Sequence, residues 1–117
     1  MKDSVYLERI KVYCVKINQY ISGVDNVNEF LKDEQKIDAI MLNLEQIGET
    51  AKKLSLRTKE NFPSIHWRSI IGLRNMISHQ YEGVKLHIVY DIALHNIPVL
   101  LNILLSSTSS KRALGSK

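Results

Sequence analysis

The chain has 117 residues, 44% of them hydrophobic and 24% charged, which allows one helical core but not two domains. No uninterrupted apolar run approaches the roughly 20 residues of a membrane span, and the first residues lack a signal-peptide core. The single cysteine, Cys14, excludes an internal disulfide and falls on the predicted inner side of the first helix. We therefore expect a cytoplasmic protein that does not contact a membrane.

The formal net charge of +4 is not spread over the predicted core. Residues 1–60 carry ten basic and ten acidic side chains, and residues 61–117 carry six basic and two acidic ones. Three of those six basic side chains lie in the last seven residues of the chain. The overall charge therefore does not indicate nucleic-acid binding, and a local site would have to supply it.

The first two-thirds of the chain predict two helices joined by a short helical turn. The first helix begins near Asp3 or Ser4, either of which is a good N-cap, and ends at Gly23. Residues 24–31 predict the turn. Asp33 then caps a long helix whose apolar residues recur at helical spacing, namely Ile37, Ile40, Met41, Leu44, Ile47, Ala51 and Leu54.

Two small residues of the long helix, Gly48 and Ala51, allow another helix to cross it closely. Residues 61–64 form a break, and Ser64 at its end is a fair N-cap for the next helix. That helix carries Trp67 and Arg74 and is expected to end at residues 81–83.

A last helix is marked by regularly spaced apolar residues from Leu86 to Leu104, and Pro98 in its middle should kink it. Residues 106–117 are polar and predict a disordered tail. The sequence shows no alternation typical of β-strands. We therefore predict an all-α protein, an up-and-down bundle of four main helices plus a short helical turn, with a single domain over residues 1–105.

Residues 74–81 contain the candidate chemistry, because Arg74 can hold phosphate charge and His79 can move protons. In a regular helix Arg74 shares one stripe with apolar and aromatic residues, which are Trp67, Ile70, Ile77 and Tyr81. A guanidinium on such a stripe is costly unless an anion meets it. The pattern therefore indicates a site, although an internal Arg with a nearby His is often structural.

The spacing sets a condition on that site. Arg74 and His79 are five residues apart, or about 140° around a straight helix, so they do not converge there. Convergence requires either that the helix frays before His79, which Ser78 favours, or that a second copy of the chain brings its own pair across a two-fold axis. Asn75 lies four residues before His79 and can orient its ring.

The R-x4-H-x-Y pattern of Arg74, His79 and Tyr81 resembles the motif of HEPN-domain toxins of the HepT family. Residues 43–54 resemble that family's helix with Ile-Gly-Glu, and residues 62–75 resemble its entry to the motif, where Pro, Ile, Trp, Gly, Arg and Asn recur. The resemblance covers residues 4–105. Thr50 departs from it, since the family often has Ala or another small residue there.

The resemblance implies an all-helical homodimer whose two motifs line a cleft at the interface. It also implies a metal-independent, cofactor-free ribonuclease toxin paired with a nucleotidyltransferase antitoxin of the MntA type. Arg74 would stabilise the phosphate, His79 would act as general acid and base, and Asn75 and Ser78 would support them. Tyr81 would be the residue that the antitoxin silences by adding AMP.

Two other groups of side chains have competing interpretations. His87, Asp91 and His95 lie at i, i+4 and i+8, a spacing that can hold a divalent metal but that also suits a solvated helix face, which we favour. Glu45 and Glu49 form an i, i+4 carboxylate pair. Glu49 could form an ion pair with Arg74 or with Lys53, whereas Glu45 could simply be solvated.

Two hypotheses about function follow from these observations. In the first, the chain is an RNA endonuclease that serves as the toxin of a two-component system. In the second, it is a helical adaptor without catalysis that presents a substrate to a nucleotidyltransferase. The intact pair of Arg74 and His79 favours the nuclease, whereas the nearly neutral core favours the adaptor, because RNA binding normally uses several cations.

Overall fold

The computed structural model describes the backbone of residues 2–78 and 86–115 and the side chains of residues 2–77 and 86–106. The described residues form helices and no strand, which confirms the predicted all-α class. The elements in chain order are α1 (Lys2–Ser22), α2 (Val27–Lys32), α3 (Glu34–Lys52), α4 (Leu56–Glu60), α5 (Trp67–Ser78), α6 (Leu86–Asp91), a π-helical turn (Ile92–Asn96) and α7 (Ile97–Gly115).

Side-chain caps explain where the early helices begin. The Asn26 side chain accepts a hydrogen bond from the backbone N–H of Glu29 at 3.0 Å, which starts α2. The Asp33 side chain accepts one from the backbone N–H of Lys36 at 3.1 Å, which starts α3 as predicted. The predicted first helix, the short turn and the long helix are therefore all present, but Asp3 and Ser4 lie inside the first turn of α1 and are not its N-cap as predicted.

The long helix α3 ends at Lys52, two residues before Leu54. A one-turn helix, α4, follows it and was not predicted. The Ser55 hydroxyl caps α4 by accepting a hydrogen bond from the Thr58 backbone N–H at 3.2 Å. The Asp3 carboxylate at the start of α1 in turn accepts hydrogen bonds from the hydroxyls of Ser55, at 2.6 Å, and Thr58. This contact across more than 50 residues stabilises the break after α3.

Ser64 is not the N-cap of α5, contrary to the sequence prediction. The first helical hydrogen bond runs from the Ile70 N–H to the His66 carbonyl at 3.1 Å, so the helix begins at Trp67. The Trp67 indole N–H donates to the Lys59 carbonyl at 3.0 Å, which anchors the buried ring to α4. This tertiary contact places the start of α5.

The last helix contains a π turn where the sequence predicted a kink. Pro98 has no N–H, so the Leu94 carbonyl loses its usual donor, and the ring needs extra room on that side. The Ile97 N–H instead donates to the Ile92 carbonyl five residues earlier. The wider turn over Ile92–Asn96 makes the space that the proline ring requires.

The last helix also extends beyond its predicted end. The helical backbone of α7 continues to Gly115, through the segment for which we predicted disorder. The division into a domain over residues 1–105 and a separate tail stays a prediction.

By length and composition, Leu86–Ser106 could also cross a membrane, with a mean hydropathy of 1.7, which we did not expect. A helix in the core of a protein can have the same composition, however, and 33% of this segment is buried in the fold.

The core lies between α1, α3 and the last helix, with α5 packed on α3. The ring of Phe30 carries α2 into this core and lies 5.4 Å, between centroids, from the ring of Tyr90 on α6. The largest fully buried side chains come from five of the helices, namely Ile10, Cys14, Ile17, Phe30, Ile40, Leu44, Ile47, Val89, Ile97 and Leu104. Leu73 and Ile77 of α5 are buried in the same cluster, so core packing holds α5 against α3, which matters for the site.

Candidate active site

The structure describes the first part of the predicted motif. Arg74 and Asn75 lie on the described part of α5, both exposed, and Ser78 is its last described residue. The predicted end of this helix at residues 81–83 lies outside the described residues. His79 and Tyr81 lie outside the described residues, so their convergence with Arg74 stays a prediction. The site can therefore be built from the arginine and from the helices that hold it.

Gly48 lies where α3 crosses α5, directly under Arg74. A Cβ on Gly48 would lie 2.9 Å from the Arg74 backbone nitrogen, 3.1 Å from the Ile70 carbonyl oxygen and 3.2 Å from the Ile71 carbonyl oxygen. Backbone atoms cannot swing aside as a side-chain end can, so only glycine fits here without a shift of one helix. This confirms the predicted close crossing at Gly48.

The next residue along α3, Glu49, forms an ion pair with Arg74. The closest atoms are the Arg74 Nε and a Glu49 carboxylate oxygen, Oε1. The anion expected from the apolar stripe is therefore Glu49. Lys53, the other partner that the sequence left open for Glu49, lies with its Nζ 5.7 Å from the centroid of the Tyr6 ring.

The ion pair leaves much of the arginine accessible. The Arg74 side chain is 48% exposed and that of Glu49 34% exposed. A guanidinium has five N–H donors in a rigid fork, and a carboxylate engages at most two of them side by side. At least three donors of Arg74 therefore remain for another anion, and phosphate oxygens match the geometry of the fork.

The apolar stripe around Arg74 is only partly as predicted. Trp67 and Ile77 are buried and Ile70 is half-buried, whereas Arg74 lies at the exposed margin of the stripe beside α3. The guanidinium thus avoids the cost of full desolvation. It can meet a ligand from solvent without movement of the core.

The alternative metal site at His87, Asp91 and His95 is not formed. In residues 2–77 and 86–106, no three His, Cys, Asp or Glu side chains are grouped so that they could hold a metal ion. The physical reason is the π turn, which begins directly after Asp91, contains His95 and breaks the i, i+4 register that the spacing assumed.

His95 instead lines a groove, together with His66 and Asn96. The groove runs between α5 and the last helix and consists of two adjoining cavities of about 370 and 280 Å³. Both cavities are lined by Ser69, Ile70 and Asn96. This groove was not predicted, because the position of the last helix depends on the π turn.

The wall of this groove on α5 has open space at Gly72. A Cβ on Gly72 would meet nothing within 4 Å, in contrast to Gly48 on the other helix. On the opposite wall, Val99 is exposed and lines the larger cavity. A groove lined mainly by apolar side chains is typical of a binding site.

Comparison with known proteins identifies the family to which this chain is similar. A sequence profile of the family described as ribonuclease HepT-like matches residues 10–106. The candidate RNase TTE0752 of Caldanaerobacter subterraneus subsp. tengcongensis is 33% identical over 95 residues, which cover 81% of this chain and 84% of that protein.

Two further relatives carry similar names. The candidate RNase MJ0127 of Methanocaldococcus jannaschii is 34% identical over 71 residues, covering 61% of this chain and 59% of that protein. A chain of Thermococcus cleftensis named a probable ribonuclease HepT is 32% identical over 95 residues, covering 81% and 86%. No solved structure matches the chain significantly.

Proposed function

The chain belongs to the ribonuclease HepT-like family and is a ribonuclease, and from this premise we propose that it is the toxin of a type VII-like toxin–antitoxin pair that cleaves RNA without a metal ion. The observation that carries the proposal is the Arg74 guanidinium, which is half-exposed and is held by one carboxylate at a close helix crossing. A cation so placed can bind a phosphate from solvent. Family membership favours this enzyme over the non-catalytic adaptor.

In the proposed reaction RNA supplies its own nucleophile. His79 takes the proton from a 2′-OH while the 2′-oxygen bonds to phosphorus, and a protonated His79 gives a proton to the leaving 5′-oxygen. Arg74 donates hydrogen bonds to the phosphate oxygens, whose negative charge is concentrated in the transition state. Asn75 and Ser78 support the two catalytic groups. The products are a 2′,3′-cyclic phosphate end and a 5′-OH end.

We further propose that two copies of the chain form a two-fold dimer. The support is the groove between α5 and the last helix, which has a mainly apolar lining and an exposed apolar side chain, Val99. The two walls of this groove are joined in the chain by residues 79–85, which include His79 and Tyr81. A second copy covering the groove would bury apolar surface and bring two motifs together. Sedimentation of a monomer at micromolar concentration would contradict this arrangement.

The proposed partner is a nucleotidyltransferase antitoxin of the MntA type, acting in the cytoplasm. It transfers AMP from ATP to the Tyr81 hydroxyl, with release of pyrophosphate. The added phosphodiester carries negative charge and the adenine adds bulk, so the modified chain can no longer admit RNA phosphate beside Arg74.

The test expresses the chain alone and compares it with the variant His79→Ala. Growth arrest with broken cellular RNA is expected for the unaltered chain and not for the variant. Purified protein should cleave RNA with cyclic-phosphate ends in excess EDTA. Cleavage that requires an added divalent ion would refute the metal-independent mechanism, and unimpaired growth with intact RNA would refute the toxin.

A further inference from the structure

The carboxylate that binds Arg74 comes from Glu49, the residue next to the close crossing of α3 and α5 at Gly48. Gly48 brings the α3 backbone within van der Waals distance of the α5 backbone at Arg74, and Glu49 follows it in the same turn of α3. Main-chain packing therefore sets the distance between Glu49 and Arg74, whereas flexible surface loops play no part in it. This degree of support is unusual for a surface ion pair.

Stability alone gives little reason for such a pair. Ion pairs between partly exposed side chains contribute little to folding, because water already solvates both charges. Glu49 also places a negative charge where RNA phosphate is expected to bind, which by itself weakens binding. An arrangement that helps folding little and opposes substrate binding suggests a role in the reaction.

The geometry indicates what that role is. The carboxylate engages Arg74 at Nε, on one side of the guanidinium. Arginine has a long, flexible side chain, and fixing one side of its planar fork fixes the direction of the remaining donors. Donors held in advance need no reorganisation when charge develops on the phosphate.

On the basis of the proposed function, we propose that Glu49 is a positioning residue for Arg74. It holds the guanidinium in the orientation that stabilises the transition state, and its charge lowers the affinity for the uncleaved RNA. Substitution of Glu49 should therefore slow turnover while it tightens binding. These opposite changes distinguish positioning from a structural role, since partial unfolding lowers both.

The experiment compares Glu49→Ala with the isosteric Glu49→Gln and with the control Asp38→Ala, which removes an exposed carboxylate about three turns earlier on the same face of α3. Turnover is measured on a fluorescent mixed-sequence oligoribonucleotide, and affinity on its 2′-O-methyl analogue, which lacks the nucleophile. Salt is kept at about 0.15 M, where screening confines charge effects to roughly 8 Å.

Glu49→Ala should lower turnover at least about tenfold, since small misplacements of catalytic groups are costly, and should raise affinity for the analogue severalfold. Glu49→Gln keeps a carbonyl oxygen that can accept from Nε, so it should recover part of the turnover while keeping the raised affinity. Asp38→Ala should change neither quantity, because about 16 Å of helix separates it from Glu49. Equal turnover of Glu49→Ala and the unaltered chain would overturn the proposal, as would a joint fall of turnover and affinity.

A second measurement does not depend on activity. In nitrogen-15 spectra the Nε–H of Arg74, assigned through Arg74→Lys, should give a signal protected from exchange that disappears in Glu49→Ala and persists in Asp38→Ala. An unprotected signal in the unaltered chain would overturn the positioning role. If the unaltered chain neither binds nor cleaves RNA, the proposed function itself fails, which differs from failure of the Glu49 variants alone.

Discussion

Gly48 of α3 lies against the backbone of Arg74 in α5, so closely that a Cβ on the glycine would stand 2.9 Å from the arginine's backbone nitrogen. The two residues are 26 positions apart in the chain, yet their contact determines where the candidate catalytic arginine stands. Three predictions concern this crossing and the motif that includes Arg74, and two concern Asp3 and Cys14 of α1.

Gly48→Ala should destabilise the protein by about 1–3 kcal/mol, because the new methyl group must push two backbones apart. Gly72→Ala is the matched control, since its Cβ meets nothing within 4 Å and alanine is favoured over glycine inside a helix by about 0.5–1 kcal/mol. Urea unfolding measures both free energies. Equal stability of Gly48→Ala and the unaltered chain would contradict the tight crossing.

Arg74→Ala should abolish cleavage while the fold is kept, because the side chain lies at the exposed margin of the bundle. The loss should be on the order of 10²–10³-fold, as for removal of a group that stabilises developing charge. Circular dichroism and RNA cleavage on the same sample measure the two effects. Wild-type cleavage by a folded Arg74→Ala protein would remove Arg74 from the mechanism.

Tyr81→Phe should remain toxic but escape neutralisation by the antitoxin, since the ring is kept and the oxygen that accepts AMP is lost. Intact-mass spectrometry after incubation with the nucleotidyltransferase and ATP measures the modification. An equal mass shift on the variant and the unaltered chain would place the AMP on another residue.

Asp3 should make stability depend on pH in acid. Hydrogen bonds from the side chains of Ser55 and then Thr58 lower the pKa of the Asp3 carboxyl below its ordinary value of 3.8. A carboxyl whose folded-state pKa is lowered contributes stability above its unfolded pKa and loses it as pH falls through the folded value. The stability gap between the unaltered chain and Asp3→Asn should therefore be full at pH 6 and shrink below pH 3.8. Urea unfolding at both pH values measures the gap; a constant gap would rule out this linkage.

Cys14 should resist thiol reagents as long as the protein is folded. Burial raises the pKa of its thiol to about 12, so the reactive thiolate is scarce at neutral pH. Its side chain is also fully covered by the core. Labelling with a chromogenic disulfide at pH 8 should proceed only as urea unfolds the chain, and rapid labelling of the folded protein would contradict the burial.

Much of the local structure follows from short-range chemistry. Asp33 caps α3 because its side chain reaches the N–H three residues on, a contact within one turn. Small residues at Gly48 and Ala51 predicted a close crossing, and one is found at Gly48. The apolar periodicity likewise predicted the four main helices, since each helix must bury one side.

Features that depend on contacts between residues distant in the chain could not be predicted from this short-range chemistry. Ser64 has the right chemistry for a cap, but Trp67 is held by the Lys59 carbonyl and starts the helix later. Pro98 predicted a distortion of the last helix but not which kind of distortion. A kink and a π turn both relieve the clash of the proline ring with the preceding turn, and the structure contains the π turn.

The sequence by itself therefore determined the all-α class and the residues that carry the motif, because helical periodicity and side-chain chemistry are local properties. Only the tertiary structure decided that Glu49 pairs with Arg74 while Lys53 lies over Tyr6. Both pairings were within reach along α3. The choice depends on the close crossing of α3 and α5 at Gly48, which brings Arg74 beside Glu49, and on the packing that holds Lys53 near Tyr6.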